Sequence, residues 1–307
     1  LKMDRKMSDY LSCKIEYSEN RNKIWIGQPH LMEKLIRKFG PMVEKKQIYK
    51  TPGTPRMNIE RPKEDDPRMS VQDEKLYRSG VGILLYFVKH SRPDIANATR
   101  ELSKNMDKPT PASMKELLRV IKYVIDTKDF GLKFHPKVMN ESETMEVILY
   151  SDSDWAGDKE SRISITGYCV FIQNCPVSWK SKAQSGVTLS SSEAELMALS
   201  EATKEIRFIY EILVSMGINV NLPIKSYVDN VGAIFMAENI TATPKSKHID
   251  TRAKFVTQFI VDNFMEVKFV KTKENTSDIF TKNVPTEIFN NHNGDYVWTK
   301  DEMNKVE

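Results

Sequence analysis

From Met145 onward the apolar pattern of this chain changes period in a set order, and that order limits the fold more than any other feature. Three β-type runs, Met145 to Tyr150, Ile163 to Ile172 and Pro176 to Trp179, come in quick succession. A long helical pattern follows from about Ser191 to Met216, opened by a serine run suited to capping. Next come a strand at Ile224 to Val228, helices at about Asn230 to Glu238 and Lys247 to Phe264, a strand at Glu266 to Val270, and a short helix around Ser277 to Lys282. Three strands, a helix, a strand, two helices and a strand describe an α/β sheet with helices on its faces.

The part before this is patterned differently. Leu11 to Tyr17 and Lys23 to Ile26 alternate on either side of a polar turn, which predicts a β-hairpin. From Gln28 the spacing of Leu31, Leu35, Ile36 and Phe39 predicts a helix stopped by Gly40-Pro41. Residues 44 to 72 carry no periodicity and read as a long exposed connection. Three helices then follow: one ending at Ser91-Arg92-Pro93, one from about Pro93 to Met106, and one from about Pro111 to Thr127. The polar segment Pro136 to Thr144 reads as a domain boundary.

Composition sets outer bounds. With 307 residues, 40% hydrophobic, the chain can bury cores for two domains. No apolar run approaches the ~20 residues needed to span a bilayer, so no membrane association is expected and the chain reads as intracellular. Three cysteines, Cys13, Cys169 and Cys175, lack paired metal-site spacing and read as packing residues. The net charge of +4 is small, but Lys180-Ser181-Lys182 forms a local basic cluster suited to phosphate. The opening Leu1-Lys2-Met3 falls in mid-pattern, as in a fragment of something longer.

Four acids, Asp152, Glu195, Asp229 and Asp278, stand at the edges of these predicted elements. A two-metal nuclease needs oxygen ligands converging from several elements onto cations about 4 Å apart. Each acid also has an ordinary structural explanation. Asp152 and Asp154 suit a turn before Gly157, Glu195 suits a helix's first turns, and Asp229 and Asp278 suit helix caps.

Together the surrounding blocks narrow the choice. Ser151-Asp152-Ser153-Asp154-Trp155-Ala156-Gly157, Thr166-Gly167-Tyr168, Ser178-Trp179-Lys180-Ser181-Lys182, Ser190 to Ala198, Asp229-Asn230, Lys247-His248-Ile249-Asp250 and Asp278-Ile279-Phe280-Thr281-Lys282 occur in this order. They resemble the C-terminal part of the Pol polyprotein of copia-type retrotransposons, a reverse transcriptase tail plus a ribonuclease H domain. Tyr77 to Gly82, Ser91 to Ala96 and the hairpin at Asp9 to Ile15 resemble the same family upstream.

The resemblance implies a ribonuclease H-like mixed five-stranded sheet with flanking helices at 145–285. Before it, at 1–135, it implies a mainly helical reverse-transcriptase thumb and connection region with an N-terminal β-hairpin, and residues 286–307 are left as a tail with a loop at Asn290 to Gly294. It further implies cleavage of the RNA strand of RNA–DNA hybrids by two Mg2+ ions, with Mn2+ as the alternative. Asp152 would bridge both ions, Glu195 would hold the leaving-group side, and Asp229 and Asp278 the water-activating side. Asp154 stands as alternative to Asp152, and Asp250 to Asp278.

Phosphate contacts are assigned to Lys180, Lys182, Lys245 and Lys247, with His248 beside them. The implied partners are the hybrid, a template–primer and the rest of the polyprotein. The implied location is cytoplasmic, in a virus-like particle, or nuclear. No Tyr-x-Asp-Asp-type turn occurs in the chain, so polymerase activity is not expected of it. The competing readings are a degenerate remnant that only binds nucleic acid, and a transposase or integrase.

Overall fold

The alternation at the N-terminus folds as antiparallel strands β1 (Asp9–Tyr10), β2 (Cys13–Tyr17) and β3 (Ile24–Gly27), with Ile15 opposite Ile26. The computed structural model describes residues 7–55, 58–136, 144–239 and 247–305. It divides into two units, one formed by Leu1–His135 with Asn283–Glu307 and the other by Pro136–Lys282.

In the first unit α1 (Pro29–Val43) runs through Gly40-Pro41 rather than stopping there. A proline in the last turn removes one helical N–H, and the helix closes beyond it with Glu44 N–H donating to the Gly40 carbonyl, 2.9 Å away. Its buried stripe is Met32, Leu35, Phe39 and Val43, one residue round from the predicted face, and Ile36 is exposed. Helices α2 (Val71–His90), α3 (Ala96–Ser103) and α4 (Pro111–Asp126) follow, with a 3-10 turn at Pro93–Ile95 ahead of α3. The helix predicted to reach Met106 therefore ends at Ser103.

A buried polar knot joins these helices. Arg92 forms two hydrogen bonds to the Asp94 carboxylate, 2.9 and 2.8 Å, and donates to the Thr127 carbonyl and hydroxyl, 3.1 and 2.8 Å. Tyr123 also donates to Asp94, 3.0 Å. Strand β4 (Phe130–Phe134) then pairs antiparallel with β3.

The second unit contains β5 (Thr144–Met145), β6 (Val147–Asp154), β7 (Ile165–Ile172), β8 (Cys175–Ala183), α5 (Ser191–Ser215), β9 (Asn219–Val220), β10 (Ile224–Val228), α6 (Val231–Glu238), α7 (Lys247–Val261) and β11 (Met265–Phe269). Its main sheet has the order β11-β10-β6-β7-β8. Strands β6, β7 and β8 pair antiparallel in turn, and β10 and β11 run parallel to β6. This is the five-stranded mixed sheet with helices that the resemblance implies. Strands β5 and β9 form a separate parallel pair.

Residues Glu193 to Ser200 of α5 are all buried, because the sheet covers one side of the helix and α6 and α7 the other. Leu149, Val170, Leu196, Leu199, Val228 and Val256 share this core. Each fully buried aliphatic side chain there contributes ~1.5–3 kcal/mol. The short helix predicted at Ser277 to Lys282 is a 3-10 turn, Thr276–Phe280.

The segment after Pro285 is neither a tail nor a loop. Asn290 to Gly294 lie within α8 (Thr286–Tyr296), and β12 (Val297–Thr299) pairs antiparallel with β4, completing a five-stranded sheet β1-β2-β3-β4-β12 in the first unit. A final turn, α9 (Lys300–Met303), follows. Phe289, Tyr296, Val297, Trp298 and Met303 are all buried, and this apolar set outweighs the polar run that suggested a loop. The first unit is thus mainly helical, with the N-terminal hairpin extended by β4 and β12 into a five-stranded sheet. Most of the predicted boundary, residues 137–143, lies outside the described residues.

Candidate metal centre

Asp152 lies near the C-terminal end of β6, the central strand of the mixed sheet, and β10 beside it ends just before Asp229. Two parallel strands therefore deliver two carboxylates to one sheet edge. Glu195 comes from α5, packed across β6 and β7. One oxygen from each of Asp152, Glu195 and Asp229 lies within 4.8 Å of the others. The transposase reading differs in placing its last acid on a late helix, and here the helix acid is second in the chain.

The structural explanations for these acids fall to their neighbours. Asn230 caps α6 by accepting from Ala233 N–H at 3.0 Å, which leaves Asp229 uncommitted to capping. At the start of α5, Ser190 accepts from Glu193 N–H at 3.2 Å, and the Glu193 carboxylate turns back to accept from Leu189 N–H at 2.8 Å. Glu195 faces the other way. Its Oε1 accepts from both the backbone N–H and the hydroxyl of Ser153, each 2.9 Å, while its buried Oε2 has no hydrogen-bond partner.

Asp278 is carried by the 3-10 turn, whose cap is Asn275. The Asn275 side chain accepts from Ser277 N–H at 3.2 Å and donates to the Ser151 carbonyl at 3.0 Å. The turn packs directly on β7 at Gly167, the register partner of Asp152. A Cβ there would meet Thr281 Cγ2 at 2.6 Å and Phe280 Cβ at 2.9 Å. Asp278 stands outside the three-carboxylate group and is linked to Asp152 through Lys282, whose ammonium is within ion-pair distance of both.

Charge and burial work against ionisation here. Burial pushes Asp152 up to about 6, with the Asp278 charge adding to the rise and Lys282 opposing it. Burial also raises Glu195 well above the carboxylate range, reinforced by Asp152 and Asp229. Asp229 and Asp278 rise for the same first reason. A buried acceptor without a donor, among acids that resist ionisation together, fits a site completed by a cation. The donor set is all oxygen, which suits a hard divalent ion such as Mg2+.

Three residues not singled out from the sequence belong to this centre. Ser153 holds Glu195, the Thr281 hydroxyl donates to Asp152 Oδ2, and Lys282 Nζ lies 2.8 Å from Asp278 Oδ1 and 3.9 Å from Asp152 Oδ2. Both Thr281 and Lys282 belong to the sequence block Asp278 to Lys282, but only the fold shows what they touch. Asp154 folds back against Gly157, and Asp250 pairs with Lys254 at 2.8 Å.

Lys180 and Lys182 stand on β8 opposite Tyr168 and Thr166, and line with Gln184 and Arg252 a cavity of about 250 Å3 that none of the four acids borders. Lys245 lies outside the described residues. Lys247 and His248 open α7, and only their backbone is described. Among the described residues no helix is long and apolar enough to cross a membrane.

No protein-family model matches the chain. It is similar to the retrovirus-related Pol polyprotein from transposon RE1 of Arabidopsis thaliana, 34% identical over 219 residues, covering 71% of this chain and 14% of that protein. It is also similar to the retrovirus-related Pol polyprotein from transposon TNT 1-94 of Nicotiana tabacum, 29% identical over 285 residues, covering 91% of this chain and 20% of that protein. The chain thus spans a fifth or less of the length of these curated relatives. Among solved structures, a ribonuclease H1 isolated from compost aligns at 13% identity and a TM-score of 0.32, covering 49% of this chain and 92% of its own.

Proposed function

The chain belongs to the retrovirus-related Pol polyproteins of transposons, the copia-type family its motif blocks resemble, and on that premise we propose that its second unit is a metal-dependent endonuclease cutting the RNA strand of RNA–DNA hybrids. The observation that carries this reading is the convergence of Asp152, Glu195 and Asp229, from two strand ends and a helix, to within 4.8 Å.

Asp152, Glu195, Asp229 and Asp278 would hold two Mg2+ ions, with Mn2+ as a substitute. Such ions supply electrophilic stabilisation of phosphoryl oxygens and a more acidic attacking water. The protein's own part is positioning. Ser153 fixes one oxygen of Glu195 and leaves the other free for a ligand, and Thr281 donates to and orients Asp152. Lys180 and Lys182 would grip backbone phosphates away from the reacting bond, giving affinity without a base code. The first unit is assigned to holding template–primer, as the primer-gripping hairpin, thumb and connection of a reverse transcriptase.

The test is cleavage of a labelled RNA–DNA hybrid by the purified chain with Mg2+. Turnover that disappears in Asp152→Asn is expected. No turnover, or equal turnover by the variant, would reject the proposal, and hybrid binding without turnover would support a remnant that only binds.

A further inference from the structure

The candidate centre is electrostatically lopsided. At one end no cationic side chain lies within ion-pair distance of Glu195 or Asp229 among the described residues. At the other end the Lys282 ammonium stands 2.8 Å from Asp278 Oδ1 and 3.9 Å from Asp152 Oδ2. Lys282 follows Asp278 by four residues and lies just past the turn Thr276–Phe280, so the segment that brings in the fourth acid brings its cation with it. The Lys282 side chain keeps 37% of its surface exposed, which gives the ammonium a route to solvent.

We propose that Lys282 is a built-in counter-cation that occupies the Asp278 side of the centre, so that one divalent ion enters freely among Asp152, Glu195 and Asp229 while a second must displace the ammonium. This rests on the metal-centre reading above and adds an order of loading to it. The physical basis is that a 2+ ion bridging Asp152 and Asp278 would sit against a fixed positive charge in a partly buried site, where like charges are poorly screened. Without metal, the same ammonium offsets the repulsion among the acids.

The experiment is calorimetric titration of the full chain with Mn2+, alongside thermal melting of the metal-free protein, for wild type, Lys282→Gln, Lys282→Met and Lys282→Arg. Wild type and Lys282→Arg are expected to take one ion readily. The two neutral variants are expected to take a second, with its dissociation constant tightened about tenfold. Metal-free, the neutral variants are expected to melt roughly 2–4 °C lower. Unchanged stoichiometry and affinity in both neutral variants, or metal-free melting at or above wild type, would overturn the role of Lys282. Absence of Mn2+ binding in all four proteins would instead overturn the metal centre itself.

Discussion

Asn275 donates its side-chain amide to the backbone oxygen of Ser151, 3.0 Å away, and so ties the turn bearing Asp278 to the strand bearing Asp152 one residue before that carboxylate. Both residues are fully buried. Asn275→Ala removes this tie and the cap to Ser277, leaving the Ser151 oxygen buried without its donor, at a cost of ~1–3 kcal/mol. A lower melting temperature together with slower hybrid cleavage per folded molecule is expected, and a melting change alone would show that the tie does not position Asp278.

Glu193 and Glu195 sit two residues apart with opposite tasks. Glu193→Ala removes the carboxylate that accepts from Leu189 N–H ahead of α5 and should cost ~0.5–1.5 kcal/mol in denaturant unfolding while cleavage per folded molecule persists. Glu195→Gln preserves shape and should abolish cleavage. Loss of cleavage in the Glu193 variant would move that residue into the centre.

Stability should depend on pH through the clustered acids. Each has its carboxyl raised in the folded state, so the folded form holds protons more tightly than the unfolded one. For Asp152 this contribution is complete below pH 3.8 and is lost as pH rises through about 6. The gap in melting temperature between Mn2+-saturated and chelated samples should therefore be small near pH 4 and widen through about 6. A gap independent of pH would contradict the arrangement.

The Arg92 knot predicts a large effect on the stability of the first unit. Arg92→Met leaves Asp94 buried with only the Tyr123 hydroxyl, and removal of one partner from a buried pair costs ~3–5 kcal/mol. Lysine should rescue little, because a single ammonium cannot reproduce the two parallel bonds to Asp94 and the two to Thr127. Denaturant midpoints of the two variants test this.

If Lys180 and Lys182 contact phosphate, substituting each with alanine should weaken hybrid binding alike for all sequences. The slope of log affinity against log salt should shrink by about one per lysine. A slope equal to wild type in the double variant would remove both from the binding surface.

Legibility followed the range of the interactions involved. Strand β10 matches its predicted bounds, Ile224 to Val228, because a proline precedes it and Asp229-Asn230 opens the next helix, both local signals. Asp152, Glu195 and Asp229 were recognisable from their blocks. Ser153, Asn275, Thr281 and Lys282 were not, since a hydroxyl, an amide and an ammonium gain their roles only when the last turn packs against Gly167 and Ser151. The end of the chain departs from its compositional pattern for a related reason. Asn290 to Gly294 look like a loop by composition, and the forces that make them helical come from Phe289, Tyr296 and Trp298 finding partners far back in the sequence.

That strand β12 pairs with β4 has a practical corollary for anyone cutting the gene. Trimming at Pro285 looks like removal of a dispensable end, yet it strips the first unit of a sheet strand and bares Leu132 and Phe130 of its neighbour. In covalent terms the second unit is a guest passenger, entered at 136 and left at 282, inside a host whose last strand is translated only after the passenger is complete. A ribosome making this chain therefore finishes the inner unit before the outer one can close.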